Sequence, residues 1–194
     1  MRTGSTVRSC ALASRTRRSS AFKLSKRCTS LRKASGELDN RFLRLIEILT
    51  RHEVRFIVVG GVAAVLQRTP INTQDFDLVH ERTPENVGHL LSALAELKAV
   101  YRDDPRKLTP GESHLLGSGN QLLRSGNLRF DILGSIDWGG GYDDLLPDTE
   151  VLDVGGHAVR VLTLEKLIEL TRPKDKLMLM HLEAVREERE KARR

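Results

Sequence analysis

Several ingredients are scarce in this 194-residue chain, and each scarcity narrows what it can be. Cysteine occurs twice, at Cys10 and Cys28, so the rest of the chain can form no internal disulfide, offer no thiol nucleophile and build no cysteine-based zinc site. A reducing, cytoplasmic setting is the matching expectation. Apolar runs never approach the roughly 20 residues of a membrane-crossing helix, so no membrane partner is expected. Acidic side chains are missing from residues 1–36, which hold ten Lys and Arg. The remaining 158 residues carry 22 basic and 26 acidic side chains, a net of −4, so the formal +6 of the whole chain belongs to its tail.

That tail is rich in Ser, Thr and Arg, has no hydrophobic periodicity and is expected to be disordered. It contains no apolar segment of about 7 to 15 residues, which argues against a secretory signal. Its composition also suits an organellar transit peptide or an arm that attracts nucleic acid. An inert extension or a mis-assigned start is the favoured reading. Beyond it, a hydrophobic content of 39% and a charged content of 30% are ordinary for a soluble protein. The expected organisation is a basic tail over 1–36, one α/β (α+β) domain over 37–182 and a charged helical end over 183–194.

Residues 54–79, VRFIVVGGVAAVLQRTPINTQDFDLV, carry the chemistry. The apolar run Val54–Val59 predicts a strand, Gly60-Gly61 its end, and the small residues from Val62 to Leu66 the opening of a helix. A second strand begins at Asp75 and runs to Val79. Side chains alternate along a strand, so Asp75 and Asp77 emerge on one face while Phe76 and Leu78 point into the core. Two carboxylates held this close repel unless a cation compensates. The pair therefore suits a hard, oxygen-seeking ion, Mg²⁺ first, with Mn²⁺ as a substitute. Gly60 and Gly61 would let backbone N–H groups approach an anion at a helix N-terminus. The plainer reading is a tight turn beside a solvated acidic edge.

Elsewhere the patterns are simpler. Leu38, Phe42, Leu45, Ile46 and Leu49 form one face of a helix over Glu37–His52 that packs on the sheet. Thr83-Pro84-Glu85 opens a helix to about Leu97, with Thr as N-cap and Pro at the first position. A strand near Ala99–Arg102 follows, then a long loop over residues 103–126 around a short extended piece. Ser113-His114 in that loop reads as polar surface more readily than as a substrate-side pair. Leu128–Leu133 is a buried strand with one carboxylate, Asp131, which is costly to bury without a positive partner. That partner is either a metal ion or an arginine such as Arg129 or Arg160. Gly139–Gly141 reads as a flexible loop with Trp138 and Tyr142 as anchors, Val151–Leu162 as a hairpin turning at Gly155-Gly156, and Thr163 and Asp175 as the starts of two last helices.

Gly60-Gly61, the 13-residue spacer and Asp75-x-Asp77, followed by Thr83–Val87 and the Phe130–Leu133 strand, resemble the nucleotidyltransferases of the DNA polymerase beta type, and small bacterial stand-alone members in particular. The resemblance spans roughly residues 53–182. It implies a mixed sheet flanked by helices, with Asp75, Asp77 and Asp131 as catalytic metal ligands for Mg²⁺. Gly60, Gly61, Thr73 and Lys174 would meet the nucleotide. It further implies transfer of an NMP from an NTP to a hydroxyl of an RNA or protein acceptor, in some relatives within toxin–antitoxin or phage-defence pairs. The pattern departs in three places: Asn72 stands where relatives carry Arg or Lys, Gln67-Arg68 where many have His-Gly, and the segment before Arg172-Pro173-Lys174-Asp175 is shortened. These departures bear on nucleotide and acceptor preference, and they leave a weakened nucleotide-binding or antitoxin-partner protein as the alternative.

Overall fold

Asp39 caps the first helix, its carboxylate accepting from the Arg41 N–H at 2.8 Å. That helix, α1 (Asn40–Arg51), buries Phe42, Leu45, Ile46, Ile48 and Leu49, the face that the sequence spacing predicts. The computed structural model describes residues 38–136, 140–172 and 175–194. The basic segment 1–36, Trp138 and Lys174 lie outside the described residues, as do the expectations attached to them.

After α1 come β1 (Phe56–Val59), α2 (Gly60–Leu66), β2 (Asp75–His80), α3 (Pro84–Leu97), β3 (Val100–Tyr101), α4 (Glu112–Leu116), β4 (Gln121–Ser125) and β5 (Leu128–Leu133). The chain continues through α5 (Tyr142–Leu145), β6 (Thr149–Val154), β7 (His157–Leu162), α6 (Leu164–Leu170) and α7 (Lys176–Ala192). Among the described residues the strands form one seven-stranded sheet in the order β3-β4-β5-β2-β1-β7-β6. Pairing is mixed: β2 runs parallel to β5, β1 parallel to β7, and the other neighbours are antiparallel. The fold is α/β, as expected.

The β6–β7 hairpin closes as its turn residues require. Gly155 and Gly156, at φ +62° and +89°, provide the left-handed pair that joins β6 to β7. In the region 103–126 the expected short extended piece is the five-residue strand β4, and the short helix α4 is an element that the loop reading did not include. The strand is brief and flanked by glycines. Its extended form is fixed by pairing with β5 from Gln121 through Ser125, a contact that local sequence does not display. His114, in α4, accepts from the Gly111 N–H at 3.0 Å, so it serves the local turn.

The alternation along β2 separates two environments. Phe76 and Leu78 are fully buried, and Phe76 meets Phe42 of α1 with ring centroids 5.6 Å apart. Asp75 and Asp77 lie on the opposite face, half-buried. The far end of the β1–β2 pair is pinned by Asn86, a buried polar residue of α3. Its carboxamide oxygen accepts from Arg55 N–H at 2.7 Å, and its nitrogen donates to the carbonyls of Arg55 at 3.0 Å and Glu81 at 2.8 Å. Asn86 thereby ties the entry of β1 to the exit of β2, which sets the register that carries the carboxylates.

Replacing this residue, Asn86→Ala, takes the partner from the Arg55 N–H and the Glu81 carbonyl, while the Arg55 carbonyl keeps the Glu81 N–H at 3.2 Å, and a loss of ~2–4 kcal/mol is expected. Urea denaturation checks it: the midpoint falls with an unchanged slope, and a loss below ~1 kcal/mol would remove Asn86 from this role.

Candidate active site

Strand pairing alone draws the acids together. In the parallel β2–β5 pair Asp77 stands opposite Asp131 and Asp75 opposite Arg129, and paired residues of neighbouring strands share a face. The same row continues in both directions: Asp77 faces Val59, the residue before Gly60, Asp131 faces Leu122, and Arg102 N–H donates to the Leu122 carbonyl at 2.9 Å. Arg102, Asp131 and Asp77 thus stand in one line across the sheet.

Arg102 extends past Leu122 to the acids. Its guanidinium hydrogen-bonds Asp131, and a second nitrogen lies 3.6 Å from Asp75 Oδ2. Arg129 Nε sits 3.0 Å from Asp75 Oδ1, an ion pair whose alignment does not make a hydrogen bond. Asp75 Oδ1 is therefore buried from solvent without a donor, and so is Arg102 Nε without an acceptor. Of the two arginines offered by the sequence as partners for Asp131, neither takes that position: Arg129 pairs with Asp75, and Arg160 donates to Thr149 Oγ1 at 3.0 Å. Sequence reading missed Arg102, which directly follows the edge strand β3, two strands away from Asp131 in the sheet.

Two guanidinium groups face three carboxylates, and Asp77 is the acid without a direct ion pair. Burial, then the charges of Asp131 and Asp75, push its pKa up to about 6, against which Arg102 and the Gly61 N–H act in the other direction. Burial also raises Asp131 above the usual carboxylate range, although the Arg102 charge opposes it. These are the signs expected of a site short of positive charge. Among the described residues no three His, Cys, Asp or Glu side chains already stand as a metal cage. Asp131 is turned to Arg102 and Asp75 is held between two guanidiniums. The donor set and the orphaned Asp75 oxygen nonetheless fit a hard divalent ion, with Asp75, Asp77 and Asp131 as its ligands.

Both glycines have steric reasons to be where they are. Gly60 adopts φ +62°, and a Cβ there would fall 2.3 Å from Asp77 Oδ2. A Cβ on Gly61 would fall 2.6 Å from the Thr73 hydroxyl, which itself donates to the Asp75 carbonyl at 3.1 Å. Gly60, Gly61, Thr73 and the three acids are therefore immediate neighbours. An open hollow of about 720 Å³ adjoins them, lined by Gly61, Ile71, Thr73, Lys176, Met178 and His181. A second, of about 480 Å³, is lined by Phe42, Asn72, Thr73, Asn127 and Arg129. Asn72, a departure from the family pattern, thus faces both hollows. Gln67, the other, is buried: its nitrogen donates to Glu150 at 2.7 Å and the Leu162 carbonyl at 2.8 Å, and Arg189 of α7 donates to its carbonyl at 2.7 Å. Its position is one of packing between elements. Tyr142 is half-buried against the core, as an anchor would be.

The Asp77 shift has a definite sign. Its folded pKa lies above the ordinary 3.8, so the folded state holds the proton more tightly, and the stability this gives is complete below about pH 4 and lost as pH rises through about 6. Without divalent ions, wild-type stability should fall between pH 4.5 and 7 by an amount on the order of 1–3 kcal/mol. The Asp77→Asn variant should show a smaller fall, since only the raised Asp131 remains to contribute one, and be the more stable protein at pH 7. Denaturation across this range checks it, and parallel pH profiles for the two proteins would contradict the charge crowding.

No family model matches the chain, and neither does any curated protein. Solved structures do. The lincomycin-bound lincosamide antibiotic adenylyltransferase LnuA superposes with a TM-score of 0.51 at 10% identity, covering 76% of this chain and 98% of that one. A Thermotoga maritima protein assigned to the nucleotidyltransferases gives 0.47 at 16% identity, with 82% and 97% covered. The antibiotic-resistance factor ANT(2'')-Ia gives 0.43 at 14%, with 80% and 96% covered. At 10% identity the likeness to LnuA speaks for architecture alone: this chain has a nucleotidyltransferase-like fold.

Proposed function

We propose that the protein is a divalent-cation-dependent nucleotidyltransferase that moves an NMP from an NTP to an acceptor hydroxyl. The observation that supports this most is the register pairing of Asp77 with Asp131, which sets three carboxylates on one open face beside Gly60, Gly61 and Thr73. Asp75, Asp77 and Asp131 would hold Mg²⁺ or Mn²⁺. When bound, the ion supplies positive charge to the reacting phosphate oxygens and makes the acceptor hydroxyl easier to deprotonate.

The chain's own residues supply the rest. Gly61 and Thr73 line the hollow where a triphosphate would lie, and a Cβ on Gly61 would collide with the Thr73 hydroxyl, so the backbone comes close to that hollow only without a side chain. Lys176, at the start of α7, lines the same hollow and offers a cation there. Lys174, assigned that role by the family resemblance, falls outside the described residues. Asp131 stands farthest toward β4 and β3, where Leu122 leaves the surface open, and would orient the incoming hydroxyl.

Acceptor identity is a proposal of class alone. RNA and protein hydroxyls are the acceptors the family resemblance favours, with a toxin–antitoxin or defence pairing as one setting. The lincomycin bound to LnuA adds small hydroxyl compounds to the set to be tried. A second reading, a nucleotide-binding protein with little turnover, is favoured by one observation: Arg102 already occupies Asp131 and reaches Asp75.

Incubating the protein with each α-³²P-NTP, Mg²⁺ and a panel of RNA, protein and small hydroxyl compounds tests the proposal. Label transfer is expected from wild type and should fall at least about a hundredfold in Asp75→Asn and Asp77→Asn with folding intact, by analogy with the loss of a transition-state charge contact. Equal transfer by either variant would remove the carboxylates from the chemistry. NTP binding without transfer by wild type would select the second reading.

A further inference from the structure

Arg102 has given up most of its solvent, with 14% of its side chain exposed, in exchange for little. Its guanidinium has one hydrogen bond, to Asp131, and a 3.6 Å approach to Asp75, while its Nε is buried with no acceptor. A guanidinium has five donors in a fixed fork and satisfies carboxylates best when both arms are engaged. Here the two terminal nitrogens are split between acids on different strands, Nη2 on Asp131 and Nη1 at 3.6 Å from Asp75, and neither acid is met as a bidentate partner. Asp75 keeps an oxygen without a donor. A buried ion pair so incompletely satisfied repays its desolvation poorly.

A divalent ion would seek the same oxygens. It carries twice the charge in a smaller volume and could draw on Asp77 as well, the acid that Arg102 does not touch. The guanidinium and the ion cannot occupy the space between Asp75 and Asp131 together. Arg102 also has somewhere to go: a groove of about 600 Å³ lies beside its own backbone, lined by Tyr101, Asp103, Asp104, Arg106 and Leu122, with Leu122 45% exposed.

We propose that Arg102 is a tethered counter-cation that competes with the divalent ion for Asp75 and Asp131, so that metal loads as the guanidinium withdraws into the neighbouring groove. The proposal rests on the reading of the three acids as a metal site and adds a residue that limits how readily the site fills. Arg102 acts here as a positioning residue, through the carboxylates.

Mn²⁺ titration of the full chain at low ionic strength, followed by the electron paramagnetic resonance signal of free Mn²⁺, tests it on wild type, Arg102→Gln, Arg102→Lys and Asp75→Asn. Removing the competitor should tighten Mn²⁺ binding about tenfold or more in Arg102→Gln, with Arg102→Lys between it and wild type. Damage to the fold would weaken binding, so tightening separates competition from a bracing role. Unchanged or weaker binding in a folded Arg102→Gln overturns the proposal while leaving the metal site standing. Should Arg102→Gln not fold without metal, Arg102→Lys decides alone, and binding no tighter than wild type overturns it. Absence of saturable Mn²⁺ binding in wild type and both arginine variants, or undiminished binding in Asp75→Asn, overturns the metal site itself and this proposal with it.

Discussion

Repulsion among three carboxylates fixed on one face of a β-sheet is the constraint around which this protein is built. Backbone pairing, not side-chain attraction, brings Asp77 and Asp131 into register, and it does so at an energetic cost visible in the raised proton affinity of Asp77. A fold can hold such a group because the opposite face of the same strands is fully apolar: Phe76, Leu78, Phe130 and Ile132 are all inaccessible to solvent. Burial of four large side chains outweighs crowding of three small charged ones. Arg102 and Arg129 offset part of the repulsion, and Asn86 at the other end of β1 and β2 locks the register that creates it.

Much of this could be read from the chain before any coordinates. The i, i+2 spacing of Asp75 and Asp77 fixes a shared face whatever the surrounding fold, and Thr83-Pro84 marks the start of α3 to the residue, because these are local rules of strand geometry and helix capping. The Gly155-Gly156 hairpin belongs to the same class. What stayed hidden is non-local. β4 is a strand because β5 lies beside it, and Arg102 meets Asp131 because β4 pairs with both β3 and β5 and sets the end of one in line with the other, although 29 positions separate the two residues in sequence. Neither fact leaves a periodic trace.

The glycine pair shows how structural and chemical reasons for a residue can coincide. Gly60 needs a left-handed backbone and room for the Asp77 carboxylate; Gly61 needs room for Thr73. Those needs would select glycine even without a substrate. Yet the same lack of side chains lets Gly61 line the hollow beside α7, so a requirement of packing also brings the backbone of the strand-to-helix turn to that hollow. Gln67 carries the opposite message. A position that departs from the family pattern turns out to be buried and bonded to α7 and the β6–β7 hairpin, and its identity reflects the packing of this chain.

Whether the acids form a metal site can be read from crystals grown with Mn²⁺ and a non-hydrolysable NTP, using anomalous scattering at the manganese edge. The account predicts a peak bounded by the carboxylates of Asp75, Asp77 and Asp131, with the Arg102 guanidinium withdrawn from between them and the triphosphate on the Gly60-Gly61 side. A map without a peak at these carboxylates, or with Arg102 still bridging Asp75 and Asp131 while nucleotide is bound, would contradict it.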